Sequence, residues 1–329
     1  MRGSDVIERV RSWLEWPAAS TDRLQALADT GPLDGMLDLP SGEELHRLLE
    51  RMVVPHHAAV EIELGISLVK EHREGWWLLE RLYRQLTELD GAAIAPPWPA
   101  PEPTEDPLTR YFHLYVFIAG VSAVHRMNAA RGIPADITWS TLGDVGLQVA
   151  NYQTRNGWAG FDGAFWIWQH FRGAIFRLGR LQYNFWSVEF DPEDALGFRR
   201  GDRALGVHIP ATGPLTPEAC DDSLRRASEF FPRHFPEQPY RVATCGSWLL
   251  DEQLAEYLPS TTNIMRFQRR FNHVDGWSRP GDDDVVRFVF GHLPGSIDDL
   301  PQRTTLERAV VAHLRSGRHW QIRLGWLEV

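Results

Sequence analysis

The chain has 329 residues, enough for about two domains that each bury a core. Hydrophobic residues at 43% and charged residues at 24% are the proportions of an ordinary globular protein, which sets aside a disordered or membrane-embedded chain. A net charge of −10 with a pI near 5.7 argues against a surface for nucleic acid or anionic lipid, so neither nucleic acid nor membrane is expected as a partner.

Two cysteines, Cys220 and Cys245, cannot form a disulfide framework, and the opening MRGSDVIERVRSW lacks the apolar core of a signal peptide. The longest apolar run, residues 114–124, falls short of the ~20 residues of a membrane span, so a cytoplasmic protein is expected.

The first ninety residues read as short amphipathic helices. Ser41 and Glu44 have capping-box spacing, and Leu45, Leu48, Leu49, Met52 and Val53 follow on one helical face up to the stop at Pro55. Val60, Ile62, Leu64, Ile66 and Leu68 alternate like a strand in a helical neighbourhood, which leaves residues 56–70 open between the two. Trp77, Leu78, Leu82, Leu86 and Leu89 return to helical spacing until Asp90 and Gly91, with Glu80 and Arg84 one turn apart and able to pair. Residues 95–107, APPWPAPEPTEDP, hold six prolines and are expected to be extended. Residues 110–131 and 138–152 read as further helices, so the boundary is placed after 172, giving a helical domain over 1–172 and a second domain over 173–329.

Residues 157–171, GWAGFDGAFWIWQHF, concentrate aromatics. Trp158, Phe161, Trp166, Trp168 and Phe171 fit either core packing or the lining of an acyl or acceptor pocket. Residues 175–188 then alternate as one two-faced strand, with Leu181, Tyr183 and Phe185 on one face and Arg180, Gln182 and Asn184 on the other. Turns are marked at 191–194 and 199–202. Residues 205–257 read as strand, turn, helix, strand, turn, helix. The first helix has Thr216 at its cap and Pro217 at its first position; the second follows a turn at Cys245 and Gly246, with Ser247 or Asp251 as cap. Strands at 285–290 and at Trp320, Ile322, Leu324 and Trp326, with a helix at 305–315 between them, complete an α/β (α+β) layout.

In an open α/β sheet ligands sit beyond the carboxyl ends of the strands, which would gather His208, Thr212, Gly213, Ser247 and Asp251 around one crevice. The ordinary pKa of a histidine lies near neutral pH, which suits His208 to a general base; a satisfied core histidine is the plainer alternative. Ser247 and Asp251 fit helix caps as well as ligands. Cys245 could accept an acyl group if activated by His208. His56, His57 and Glu61 have helical metal-ligand spacing without a cysteine cluster or a strict H-E-x-x-H, so no metal is expected.

The segments HIPATGPLTPEAC, GSWLLDEQLAEYLP and NIMRFQRRF, with LGRLQYNFW, GRHWQIRLGWL and EGWWLLERLY, resemble a two-domain bacterial N-acyltransferase family. The resemblance implies a helical N-terminal domain followed by a GNAT-like mixed-sheet α/β domain. It also implies transfer of an acyl group from acyl-CoA, as co-substrate, to a small-molecule or peptide amine, with the oligomeric state left open. On this reading His208 is the base, amides near Val242 and Thr244 meet the developing oxyanion, Tyr257 protonates the departing thiolate, and Ser247 stands beside them. Thr212, Gly213, Leu215 and Arg180 would help hold CoA. Such enzymes cradle the pyrophosphate on a Q/R-x-x-G-x-G/A loop at a helix N-terminus. Here residues 211–217 carry one glycine and two prolines, and Glu218, Asp221 and Asp222 follow, where their charge opposes a phosphate. Arg177, Arg180, Arg225 and Arg226 are the nearest compensating cations. The alternative is a non-catalytic GNAT-like binding module that has lost the usual cofactor loop.

Overall fold

The computed structural model describes residues 3–33, 35–88, 104–193 and 196–329. Most of the proline segment, the helix stop at Asp90 and Gly91, and Asp194 of the turn at 191–194 lie outside these residues. The chain divides into two compact units, Met1–Ala174 and Ile175–Val329.

The first unit is helical: α1 (Gly3–Trp13), α2 (Thr21–Asp29), α3 (Gly42–Arg51), α4 (His56–Glu71), α5 (Arg73–Glu88), α6 (Pro107–Arg110), α7 (Phe112–Ala130), α8 (Ala135–Leu142), α9 (Asp144–Asn156) and α10 (Ala164–Phe171). Its centre is α7, buried nearly all round through Phe112, Leu114, Phe117, Ile118 and Val121. Tyr115 packs into a gap that exists because residue 65 is glycine: a Cβ there would collide with the phenol, whose hydroxyl donates to the Pro107 carbonyl at 2.6 Å.

The open choice at 56–70 is settled as helix. Ala58, Ile62, Ile66 and Val69 of α4 face the core, whereas Val60, Leu64 and Leu68 form an outward stripe four residues apart. Two interleaved apolar stripes on one helix produce an alternating sequence, which is why period two was visible without a strand. Ser41 makes no side-chain cap; the Gly42 amide donates instead to Glu63 of α4 at 2.8 Å. Arg84 donates to the carbonyls of Thr30 and Pro32. The aromatic stretch splits. Phe161, Trp168 and Phe171 are buried in the helical core, the first and last against Phe117, while Trp158 and Phe165 are 41% and 54% exposed. No helix among the described residues is long and apolar enough to cross a membrane.

The second unit is a six-stranded mixed sheet. Its strands are β1 (Ile175–Leu178), β2 (Leu181–Ser187), β3 (Arg203–His208), β4 (Val242–Ser247), β5 (Asn272–Pro280) and β6 (Gln321–Glu328), in the spatial order β1-β2-β3-β4-β6-β5. Only β3 and β4 run parallel, joined by α11 (Pro217–His234), whose Thr216 cap accepts from the Ala219 amide as the sequence predicts. On one face, Phe176 packs on Phe230 of α11 and Phe185 on Phe235, which follows it. The other face carries a smaller core of Val188, Phe190, Phe198, Val242 and Leu324.

Three expectations change here. The strand expected at 175–188 is a hairpin, β1 to β2, because Gly179 adopts a left-handed φ of +80° and reverses the chain. Cys245 and Gly246 do not turn; β4 runs through them, paired to β6, and two 3₁₀ turns, Trp248–Leu250 and Glu252–Glu256, stand where a helix was expected. Both expected caps are used, Ser247 accepting from the Leu249 amide and Asp251 from the Gln253 amide. Residues 285–290 are helical, within α13 (Asp282–Phe290), since three aspartates in its first turn complement the helix dipole and Gly291 at φ +81° ends it. The remaining helices are α12 (Asn263–Gln268) and α14 (Thr305–Arg315), the latter closed by a Thr304–Glu307 capping box.

Candidate active site

The parallel ladder between β3 and β4 pairs only Leu205 with Ala243 and Gly206 with Thr244. Beyond that point β3 continues to His208 and β4 to Ser247, so the strands fork and leave the backbone groups that a ladder would have consumed on the inner edges. A cavity of about 640 Å³ opens in the fork. Residues 207–211 and 245–247 form its strand walls, and Trp248, Ile264, Phe288 and Leu306 give it apolar sides.

His208 stands on this cavity, and its Nε2 lies 3.0 Å from Oδ1 of Asn184. An amide oxygen can only accept, so the neutral imidazole carries its proton on Nε2 and its basic lone pair on Nδ1. Asn184 is 3% exposed and comes from β2, where it sits opposite Gly206 in the antiparallel ladder. It reaches His208 across Gly206, because a Cβ at that position would come within 2.1 Å of Oδ1. Sequence reading placed Asn184 on a strand face and missed this contact; only the register of β2 on β3 reveals it.

The loop after β3 is held by arginines rather than built from free amides. Arg180 donates to the carbonyls of Pro210, Gly213 and Pro214 at 3.0 to 3.1 Å, and Arg177 donates to Thr212 Oγ1 at 2.6 Å. Burial lowers the pKa of Arg180 from its ordinary value, but a guanidinium remains charged at neutral pH. No carboxylate pairs with Arg180 among the described residues. Two of the three acids at the start of α11 are engaged elsewhere: Arg270 holds Asp221 at 2.6 Å, and Arg225 and Arg226 hold Asp222. Arg225 and Arg226 therefore face a carboxylate.

Arg180, Gly213, Leu215 and Ser247 line the cavity with His208. Thr212 does not; its hydroxyl is taken by Arg177. Val242 and Thr244 lie deeper in β4, below the fork, with their backbone in the ladder to β6. Tyr257 is also absent from the cavity wall, and its hydroxyl lies 3.1 Å from Nδ1 of buried His313. Cys245 reaches the wall, but burial pushes its thiol up to about 12, which removes the thiolate a covalent route requires. His57 faces Gln153 and Glu61 is held by Arg110 and Tyr111; no three potential metal ligands converge among the described residues.

A mixed sheet with one forked parallel pair, a βαβ crossover and a cavity in the fork defines the C-terminal unit as an acyltransferase domain of the GNAT-like kind. Residues 175–327 match the GNAT-like C-terminal domain family, and residues 43–173 match the N-acyltransferase N-terminal domain family. The chain belongs to the two-domain acyltransferases that combine these units. Among solved structures it is similar to an acyltransferase in complex with decanoyl-CoA, at 40% identity over 98% of this chain and 99% of that one, with a TM-score of 0.89. An acyltransferase in complex with decanoyl-CoA and teicoplanin is 39% identical over the same shares, with a TM-score of 0.86. An acyltransferase mutant in complex with octanoyl-CoA is 38% identical, again over 98% and 99%, with a TM-score of 0.87. No curated protein matches the sequence.

Proposed function

We propose that the enzyme moves an acyl group from an acyl-CoA thioester to the amine of a small-molecule or peptide acceptor. The observation that carries this reading is the forked cavity with His208 on its wall and an arginine-held loop beside it. Its volume falls within the usual 300–1,000 Å³ of ligand pockets, its sides are apolar enough for a pantetheine arm and an acyl chain, and Arg180 supplies positive charge for phosphate. The octanoyl-CoA and decanoyl-CoA held by the solved relatives support a medium-length chain, and the relative bound with teicoplanin supports a glycopeptide as one acceptor.

In the proposed reaction His208 Nδ1 takes a proton from the acceptor nitrogen as that nitrogen attacks the thioester carbon. The C–N bond forms, the C–S bond breaks, and the sulfur leaves with the electron pair. Ser247 Oγ accepts from the Leu249 amide, so its O–H is left to donate a hydrogen bond to the departing thiolate, which then takes up the proton that His208 collected. Backbone amides released by the fork at 207–209 and 245–247 are the donors for the carbonyl oxygen as it gains charge, in place of Val242 and Thr244. Tyr257, bonded to His313, has a structural part.

The test is octanoyl-CoA with and without a panel of amines, following thiol release and product mass, alongside thermal shift. A ligand at 100 times its Kd adds ~2.7 kcal/mol of stability. Stabilisation by octanoyl-CoA with amine-dependent thiol release supports the reading; no stabilisation by any acyl-CoA and no thiol release refutes it.

A further inference from the structure

Along the end of α11, Ala227, Phe231 and the cap residue Phe235 recur every four positions, and Ser228, Pro232 and Pro236 follow one position behind them. Phe231 and Phe235 are buried and pack on Phe185, and Tyr240 meets the edge of Phe231. Ala227 stands where the stripe otherwise carries phenyl rings, so side-chain volume is short at that level. A pocket of about 230 Å³ fills the place. Leu205, Ala227, Phe231 and Phe235 are its buried lining; Ser228 and Pro232 are exposed at its mouth, with half-buried Gln238 and Tyr240. It lies at the Leu205 end of β3, whereas the forked cavity lies at the His208 end, and the two share no lining residue among those described.

The polar character of the pocket comes from two prolines. Pro232 lies inside α11 and has no N–H for the Ser228 carbonyl four residues back, and its ring crowds that oxygen away from the helix axis. Pro236 withholds an amide from the Pro232 carbonyl in the same way. Both carbonyls belong to residues that line the pocket, so the helix leaves acceptors where the lining is otherwise phenyl and aliphatic. Tyr240 donates to Oε1 of Gln238 at 2.7 Å, and burial pushes its phenol up to about 12, so it stays neutral. No charged side chain lines the pocket among the described residues, which suits an uncharged ligand. Phenyl and phenol walls suit a planar ring. An apolar cavity of about 150 Å³ holds benzene, so this one has room for a bicyclic ring.

We propose that this pocket is a second ligand site, for a neutral planar aromatic molecule of indole size whose N–H or O–H donates to the Ser228 carbonyl. The site stands independently of the acyl-transfer reading. The probes are indole and 1-benzofuran, which has the same shape without the N–H, each titrated into the whole chain and followed by ¹⁵N amide shifts. Saturable shifts should appear at Leu205, Ala227, Phe231 and Tyr240, and indole should bind about fivefold more tightly than 1-benzofuran, the worth of one neutral hydrogen bond. Ala227→Leu should weaken both probes by at least about tenfold by filling the pocket, and Ala227→Val, the smaller intrusion, should weaken both by less. Pro232→Ala restores an amide to the Ser228 carbonyl and should erase most of the preference for indole while leaving 1-benzofuran nearly unchanged. No saturable shift in the folded wild type, shifts confined to His208 and Ser247, or affinities untouched by both Ala227 variants would overturn the site. Equal affinities for the two probes, or a preference that survives Pro232→Ala, would overturn the part given to the carbonyl.

Discussion

Replacing Gly206 with alanine isolates the link between the sheet and the base. The glycine backbone is not left-handed, so alanine brings no conformational strain and even gains about 0.4–1 kcal/mol from a stiffer unfolded chain. Its Cβ would stand 3.5 Å from His208 Nε2, an ordinary contact, but 2.1 Å from Asn184 Oδ1, so it is Asn184 that must move. At 3% exposure Asn184 has no water to turn to, and the move separates it from His208. Losing that buried hydrogen bond costs about 1–3 kcal/mol, which puts the net loss of stability at roughly 1–2 kcal/mol. With Nε2 no longer anchored, both imidazole tautomers become populated, and turnover should fall on the order of tenfold. Urea unfolding, ¹⁵N spectra of His208 and turnover against pH measure the three effects. A double-mutant cycle gives the sharpest check: in an Asn184→Ala background, Gly206→Ala should add almost nothing. Full additivity of the two changes, or an unaltered tautomer in Gly206→Ala, would refute the reasoning.

His208→Ala should lower single-turnover acyl transfer by a factor of about 10² to 10⁴, the range for loss of a general base; a variant that merely unfolds more easily while keeping full turnover per folded molecule would remove His208 from the chemistry. Arg180→Lys should keep a cation near the loop but lose the three-carbonyl clasp, and Arg180→Ala should lose both. Calorimetry with octanoyl-CoA at two salt concentrations should then rank wild type above lysine above alanine, with the flattest salt response for alanine; equal affinities would refute the clasp. In the helical unit His113 is fully buried with neither ring nitrogen hydrogen-bonded among the described residues, and burial holds its pKa down at about 4. The unfolded chain binds that proton near pH 6.5, so stability from the neutral imidazole is complete above about 6.5 and is lost as pH falls toward 4, by about 3 kcal/mol. His113→Phe should abolish that part of the acid sensitivity, as read from unfolding midpoints at pH 7 and pH 4.5.

What the sequence disclosed depended on how local the determining interaction was. The start of α11 was legible because a hydroxyl cap followed by proline acts within four residues, and α14 was legible for the same kind of reason. His208 could be singled out because strand alternation and a following turn place it at the end of β3. Its partner could not, since Asn184 lies 24 positions away and reaches it only through the β2–β3 register. The surroundings of Tyr257 were hidden for the same reason: its hydroxyl meets His313, 56 residues on, and two 3₁₀ turns stand where a helix was expected. The α13 side of the cavity was hidden because the stretch 285–290, five apolar residues around Arg287, fits strand or helix equally, and the aspartates before it decide the matter.

The acids at the head of α11 show how a local reading of charge can point the wrong way. Taken alone, Glu218, Asp221 and Asp222 oppose an anion at the helix N-terminus, and the loop before them is poor in amide donors. In the fold Asp221 belongs to Arg270, which also donates to the Pro217 carbonyl, and Asp222 belongs to two arginines one helical turn further on. Such exposed pairs contribute little to stability, but they offset two of the three charges that would repel a phosphate. Arg177 and Arg180 meanwhile come from the β1–β2 hairpin and spend their donors on Thr212 and on three loop carbonyls, so their charge persists without a carboxylate on Arg180. The turn at Gly179 is therefore the feature on which the proposed anion binding depends: had residues 175–188 formed one continuous strand, Arg180 would lie within it, its side chain confined to one face of the sheet, and the proline-rich loop would have neither clasp nor cation.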